Sequence, residues 1–301
     1  MNILISGATS MIGSKLSNYL SSNNKVFCLV RKKSKNIFRL IQNPNVIFVD
    51  CEADNFDKID KLIDDRIDVA INFYWEGIRG NDRNNKLLQE KSFNNSIKFL
   101  NSSVKLGAKK VIGVGSQAEY GPHDSYNEDV ICKPICEYGK FKNSTREYYQ
   151  KFCKENNINF KRARIFSAYG EFDFEGSLVM TSIKKFKENS TITLKLGSQI
   201  RNYTYDEDLV RAFTCLIYDD EKSGAYNITR IDNKRLVEYL FILRKILHSS
   251  SKIISLNSDN DNEMSIKTDS RLFENDFHFK FNYDFSNGIL DMLQRIGVQY
   301  E

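Results

Sequence analysis

A doubly wound α/β fold, a parallel sheet covered by helices on both faces and followed by a smaller C-terminal α/β cap, is predicted by three observations. Short apolar runs alternate with longer amphipathic stretches through the first half of the chain. The runs are apolar throughout, as parallel strands buried on both faces must be. From about Tyr169 this rhythm gives way to less regular segments.

Asn2–Ser6 is the first strand, and Ile12–Leu20 follows as a helix whose apolar face is Ile12, Leu16, Tyr19 and Leu20. Lys25–Val30, Val46–Val49, Val69–Tyr74 and Lys110–Val114 are further strands, with a long helix over Lys91–Leu106 between the last two. A helix over Ser144–Asn156 and a strand over Asn159–Ile165 complete a six-stranded core. Beyond it Leu178–Glu188, Leu236–Leu247 and Asp284–Ile296 read as helices, and the polar, aperiodic Ser249–Asn262 as a flexible loop. The expected division is residues 1–168 for the sheet domain, with later segments returning to it, and 169–301 mainly for the cap.

The 301 residues, 41% hydrophobic, suffice for a large core. The net charge of +5 comes from 44 basic and 39 acidic residues spread along the chain, which argues against nucleic acid as a partner. Cys28, Cys51, Cys132, Cys136, Cys153 and Cys215 include no C-x-x-C pair and are read as reduced thiols without a metal. The N-terminus runs straight into a strand, and no stretch approaches the ~20 apolar residues that span a bilayer. A cytoplasmic protein without a membrane partner is expected.

Gly7-Ala8-Thr9-Ser10-Met11-Ile12-Gly13 joins the first strand to the first helix. Glycines there let the backbone turn sharply and approach a pyrophosphate, which the helix N-terminus then binds. This is the dinucleotide-binding turn of a Rossmann fold. The second strand ends in Val30-Arg31-Lys32-Lys33-Ser34, without the acidic residue that would bond the adenosine ribose 2′-hydroxyl of NAD. Cationic groups at Arg31 and Lys32 favour a 2′-phosphate, so NADP is the expected cofactor and NAD the alternative. Tyr138-Gly139-Lys140-Phe141-Lys142 puts Tyr138 and Lys142 on one helix face. A phenol titrates near ~10, and a neighbouring ammonium is expected to lower that value toward useful acid–base chemistry.

Together these segments resemble the extended short-chain dehydrogenase/reductase family, whose opening motif is typically G-A-T-G-F-I-G. Ser10 stands at the middle glycine. Gly115-Ser116-Gln117-Ala118-Glu119-Tyr120-Gly121 resembles the family segment that carries the catalytic hydroxyl, here Ser116. Arg164-Ile165-Phe166-Ser167-Ala168-Tyr169-Gly170 resembles R-x-F-N-x-Y-G with Ser167 at the asparagine, and Arg201 matches a residue expected to bind a nucleotide-sugar diphosphate. The resemblance implies a nicotinamide-dependent enzyme of nucleotide-sugar metabolism, with Ser116, Tyr138 and Lys142 catalytic. It implies cofactor contacts at Gly7, Thr9, Ser10, Met11, Ile12, Gly13, Arg31, Lys32, Asp50, Cys51, Tyr74, Tyr138 and Lys142. Substrate contacts are expected at Trp75, Ser116, Gln117, Ser167 and Arg201.

Dehydratases of the family carry an Asp-Glu pair after the catalytic hydroxyl residue, whereas this chain has Gln117 and Ala118. Reduction of a 4-keto sugar nucleotide with NADPH is therefore expected, with 4-epimerisation on retained NAD as the alternative. Loose similarity to the synthases of CDP-linked 3,6-dideoxyhexoses, including Asn262-Glu263-Met264, points toward deoxysugar and polysaccharide biosynthesis. Asn260 and Asp261 stand where many members place a second diphosphate-binding arginine. A catalytically silent cofactor-binding regulatory protein is the reading from another class. A homodimer through Lys91–Leu106 and Ser144–Asn156 is the expected assembly.

Overall fold

β1 (Asn2–Ser6) buries Ile3, Leu4 and Ile5 completely, as a strand with neighbours on both sides and helices on both faces must. In the computed structural model, which describes residues 1–256 and 265–298, the chain forms two compact units. Met1–Pro122, Glu128–Ile165 and Val210–Ile228 make the first, and His123–Asn127, Phe166–Leu209 and Thr229–Glu301 the second.

In the first unit β1 is followed by α1 (Met11–Leu20), β2 (Lys25–Val30), β3 (Val46–Asp50), β4 (Val69–Asn72), α2 (Lys86–Lys105), β5 (Lys110–Ser116), α3 (Glu137–Glu155) and β6 (Asn159–Ile165). Next along the chain come β7 (Ser167–Tyr169), α4 (Leu178–Lys187), β8 (Ile192–Leu194), β9 (Ile200–Arg201), β10 (Tyr203–Tyr205) and α5 (Asp206–Tyr218). Then follow β11 (Gly224–Ile228), β12 (Lys234–Arg235), α6 (Leu236–Ile246), β13 (Ile253–Ser255), α7 (Arg271–Asp276) and α8 (Phe285–Arg295).

The main sheet is parallel in the order β11-β6-β5-β4-β1-β2-β3. It has seven strands, one more than the sequence reading gave its core. Residues Ala225–Ile228 read as a strand, but periodicity cannot say which sheet a strand joins. Here β11 pairs with β6, Tyr226 opposite Ala163 and Ile228 opposite Ile165. Strand order reverses between β1 and β4, and the crevice beyond their C-terminal ends is where such sheets bind ligands.

Two helices start earlier than the periodicity suggested, because capping side chains set their first turns. Asn85 accepts from the amide of Leu88 and starts α2 at Lys86 rather than Lys91. The Cys136 thiol caps α3 and starts it at Glu137 rather than Ser144. Tyr138 and Lys142 therefore lie in the opening turns of one long helix. In the second unit an aromatic core gathers Tyr169, Tyr205, Tyr239 and Phe285 around Phe186, Leu240, Ile289 and Leu293. The expected loop from Ser249 is partly strand: β13 runs parallel to β8 with Ile253 opposite Ile192. Residues 257–262 of that loop, with Asn260, Asp261 and Asn262 among them, and the following Glu263-Met264 lie outside the described residues.

Candidate active site

The turn between β1 and α1 shows why two of its positions must be glycine and a third need not be. Gly7 has φ +65°, and a Cβ on it would lie 2.9 Å from the carbonyl carbon of Phe73. A Cβ on Gly13 would lie 2.5 Å from the Gly7 oxygen and 2.7 Å from Ser10 Oγ. Ser10, by contrast, has φ −73°, an ordinary value for any residue, and is the N-cap of α1. Its hydroxyl accepts from the Gly13 amide at 3.1 Å, so the departure from the family motif becomes a helix cap.

A cavity of about 450 Å³ opens at this turn and is lined by Gly7, Thr9, Ser10, Arg31, Cys51, Tyr74 and Trp75. Gly7, Thr9, Ser10, Arg31, Cys51 and Tyr74 are expected cofactor residues and Trp75 an expected substrate contact; they share one space with the N-terminus of α1, which suits a nicotinamide dinucleotide. Met11, Ile12, Gly13, Lys32, Asp50, Tyr138 and Lys142, also expected cofactor contacts, do not line it. Asp50 instead accepts from the Lys32 backbone at 3.0 Å, tying the ends of β2 and β3 together. The Tyr74 hydroxyl is held by the Asn95 amide at 3.2 Å.

The structure adds residues that the sequence reading missed. Asn36 lines the cavity beside Arg31, and Arg39 reaches back to the Thr9 carbonyl at 3.3 Å. Lys91 stands 3.1 Å from Asp54 and 3.9 Å from Glu76, all three on the cavity wall. The Asn95 hydrogen bond and the Lys91 ammonium hold the Asp54 carboxyl below its usual range.

Ser116, Tyr138 and Lys142 converge within the first unit. Ser116 ends β5 and its hydroxyl accepts from the Ala118 amide at 3.2 Å, and it is among the groups near enough to Tyr138 to favour the phenolate. Tyr138 and Lys142 are 7% and 4% exposed, so water contributes little to either group. The Lys142 ammonium donates to the Val114 carbonyl at 2.9 Å and lies 5.9 Å from the centre of the Tyr138 ring. The guanidinium of Arg83, another residue the sequence reading passed over, sits 4.5 Å over that ring.

Here the electrostatics differ from expectation. Burial lifts the Tyr138 phenol above its ordinary range, against the opposing pull of Ser116 and Arg83. Burial also pushes Lys142 well below its ordinary value, and Arg162 adds to this while Glu119 opposes it. The expected net lowering of the phenol is therefore not found: burial of Tyr138 outweighs the groups that favour the phenolate.

Beneath this cluster lies an ionic lock that periodicity could not reveal. Glu119, fully buried, accepts from Arg162 at 2.6 and 3.1 Å, from Arg164 at 3.1 Å and from the Ser116 amide at 3.0 Å. Arg162 also donates to the Lys142 carbonyl at 2.8 Å. One carboxylate thus joins β6, the end of β5 and α3. Burial pushes the Glu119 carboxyl up, but the two guanidinium groups outweigh it and hold it below its usual range.

Gln117 opens the short turn after Ser116, and its carbonyl accepts from Tyr120. Ser167 and Arg201 belong to the second unit. Ser167 lies in β7, opposite Tyr203 of β10, and Arg201 in β9, opposite Lys234 of β12.

A family model described as the NAD dependent epimerase/dehydratase family matches residues 3–229. The chain is 26% identical over 258 residues to a CDP-abequose synthase of Salmonella muenchen, covering 83% of this chain and 82% of that one. It is 29% identical over 150 residues to a dTDP-4-dehydro-6-deoxyglucose reductase of Escherichia coli, covering 46% and 47%. The structure of a UDP-glucose 4-epimerase from Thermotoga maritima superposes with a TM-score of 0.87 over 98% of both chains. At 19% identity that likeness shows the fold: a Rossmann-type sheet with flanking helices. No helix among the described residues is long and apolar enough to cross a membrane.

Proposed function

The chain belongs to the NAD dependent epimerase/dehydratase family, and from that premise we propose that it reduces the 4-keto group of a deoxysugar nucleotide with NADPH in the cytoplasm. One observation carries the reading: the buried Tyr138 and Lys142 stand with the half-buried Ser116, and neither of the two residues after that hydroxyl is an acid or a base. An elimination needs such a pair, and the two residues after Ser116 are Gln117 and Ala118. Glu119, next in line, is engaged by two arginines. A phenol that burial keeps protonated is the acid that carbonyl reduction requires. The relatives named for CDP-abequose and for dTDP-4-dehydro-6-deoxyglucose support the same substrate class.

Bound NADPH would supply the hydride. The N-terminus of α1 with Gly7 and Ser10 would hold its pyrophosphate, Arg31 its 2′-phosphate and Lys142 its nicotinamide ribose. Ser116 bonds the sugar carbonyl oxygen and keeps it next to the phenol. Tyr138 passes its proton to that oxygen. Trp75, Gln117 and Ser167 are assigned to the sugar, and Arg201 to the diphosphate. The exposed Arg31 and the absence of an acidic residue at the end of β2 favour NADPH over NADH. The assembly is assigned as a homodimer through α2 and α3, testable by sedimentation against the 35.0 kDa protomer.

The test combines NADPH with CDP- and dTDP-linked 4-keto-6-deoxyhexoses and follows loss of reduced nicotinamide together with formation of the 4-hydroxyl product. Tyr138→Phe is expected to lower turnover by about 10²–10⁴-fold, the usual worth of a general acid, while cofactor affinity survives. Arg31→Asp is expected to reverse a preference for NADPH over NADH. Interconversion of C4 epimers without net use of NADPH would replace the reductase by the 4-epimerase. Cofactor binding without turnover of any nucleotide sugar would leave the regulatory protein.

A further inference from the structure

Trp75, the only tryptophan in the chain, joins the cavity wall to the buried cluster. Its indole Nε1 donates to Gln89 Oε1 at 2.7 Å. Gln89 is itself fully buried, and its amide nitrogen donates to the carbonyls of Gly77 and Asp82 at 2.8 and 2.9 Å. The plane of the indole is thereby fixed by α2 and by the loop after β4. Its face carries the Lys142 Nζ, 4.2 Å from the ring. It also meets the Tyr138 ring edge-on, 6.2 Å away at 82°.

Lys142 needs that face. Its ammonium has three N–H donors but one hydrogen bond, to Val114, and no ion pair among the described residues. The charged groups around it are Arg162 of β6, which repels it, and Glu119 of the turn after β5, which attracts it but is engaged by Arg162 and Arg164. On its own helix the neighbour is Tyr138, with Arg83 over that ring. A desolvated cation gains more from an indole than from any other aromatic ring.

We propose that Trp75 is a positioning residue for Lys142, its indole face acting as the second support of the buried ammonium and holding it beside Tyr138. Gln89 sets the plane in which that support stands. Only the catalytic consequence rests on the reductase reading; the pairing of indole and ammonium does not.

The single tryptophan makes the pairing directly observable. Emission excited where tryptophan alone absorbs is expected to change with pH in the ligand-free protein as Lys142 loses its proton, and the change is expected to vanish in Lys142→Met. Emission that does not titrate, or that titrates identically in Lys142→Met, overturns the proposal whether or not any sugar is reduced. Given an active parent, Trp75→Leu is expected to lower kcat at saturating sugar on the order of tenfold and to displace its pH profile, separately from any rise in KM through loss of the sugar contact. Trp75→Phe, which keeps an aromatic face but loses the bond to Gln89, is expected to recover most of the loss. Equal kcat and pH profile in Trp75→Leu and the parent would overturn the catalytic consequence.

Discussion

β1 and β6 are both interior strands of the same parallel sheet, yet they are built from opposite materials. β1 buries Ile3, Leu4 and Ile5, while β6 buries Lys161, Arg162 and Arg164 at 0%, 1% and 2% exposure. An uncompensated charge in such a place would cost several kcal/mol, on the order of a lost domain's worth of margin when repeated three times. Each cation of β6 is therefore matched. Lys161 donates to the carbonyls of Leu216 and Asp219, closing the C-terminal end of α5, where positive charge is favoured. Arg162 and Arg164 share Glu119 beneath Ser116 and Lys142. The difference teaches that the core of β1 is apolar burial, with the Ser6 hydroxyl bonded to Asn72 at its end, whereas β6 uses buried charge to fix other elements, above all the candidate catalytic cluster.

The comparison breaks first at Glu119. Glu119→Gln leaves Arg162 and Arg164 without a counter-charge, and denaturant unfolding is expected to show a loss of about 3–5 kcal/mol at neutral pH. The sign with pH follows from the depressed carboxyl. Its stabilisation is complete above the unfolded-state value of 4.5 and is lost as pH falls through the lower folded-state value. The gap between parent and variant is therefore expected to close in acid. Replacing Glu119, Arg162 and Arg164 together by Leu, Met and Met sharpens the point, because buried ion groups exchanged for apolar ones are often neutral in stability. That variant is expected to fold and to turn over poorly; full activity would show that the lock does not position the cluster.

β1 yields the next effect. Leu4→Ala is expected to cost about 2–5 kcal/mol through the cavity it leaves, with no closing of the gap in acid. A pH-dependent loss there would erase the distinction between the strands. Smaller still is Gly13→Ala, whose methyl would press on Gly7 O and Ser10 Oγ. A cost of about 1–3 kcal/mol is expected in thermal unfolding, together with weaker dinucleotide binding by titration.

Much of this was legible in the chain itself. The apolar runs gave the first six strands of the sheet, and Gly7, Gly13, Tyr138 and Lys142 stood out because turns and helix faces are local, periodic features, whereas Ser116 stood out only through the resemblance of its segment to the family's. Arg83, Arg162 and Glu119 were not legible, since nothing in their spacing reveals a partner 43 residues away, as Arg162 is from Glu119. Sheet membership of β11 was hidden for the same reason.

The sequence by itself determined the order of elements, the glycine turn and the presence of a hydroxyl, a phenol and an ammonium suited to one chemistry, because each depends on short-range geometry. Tertiary structure decided what those groups experience. It turned Ser10 into a cap, withdrew Tyr138 and Lys142 from water so that burial dominates the titration of each, and set Trp75 against Lys142. Desolvation and long-range pairing are properties of a packed interior, and no local pattern of residues contains them.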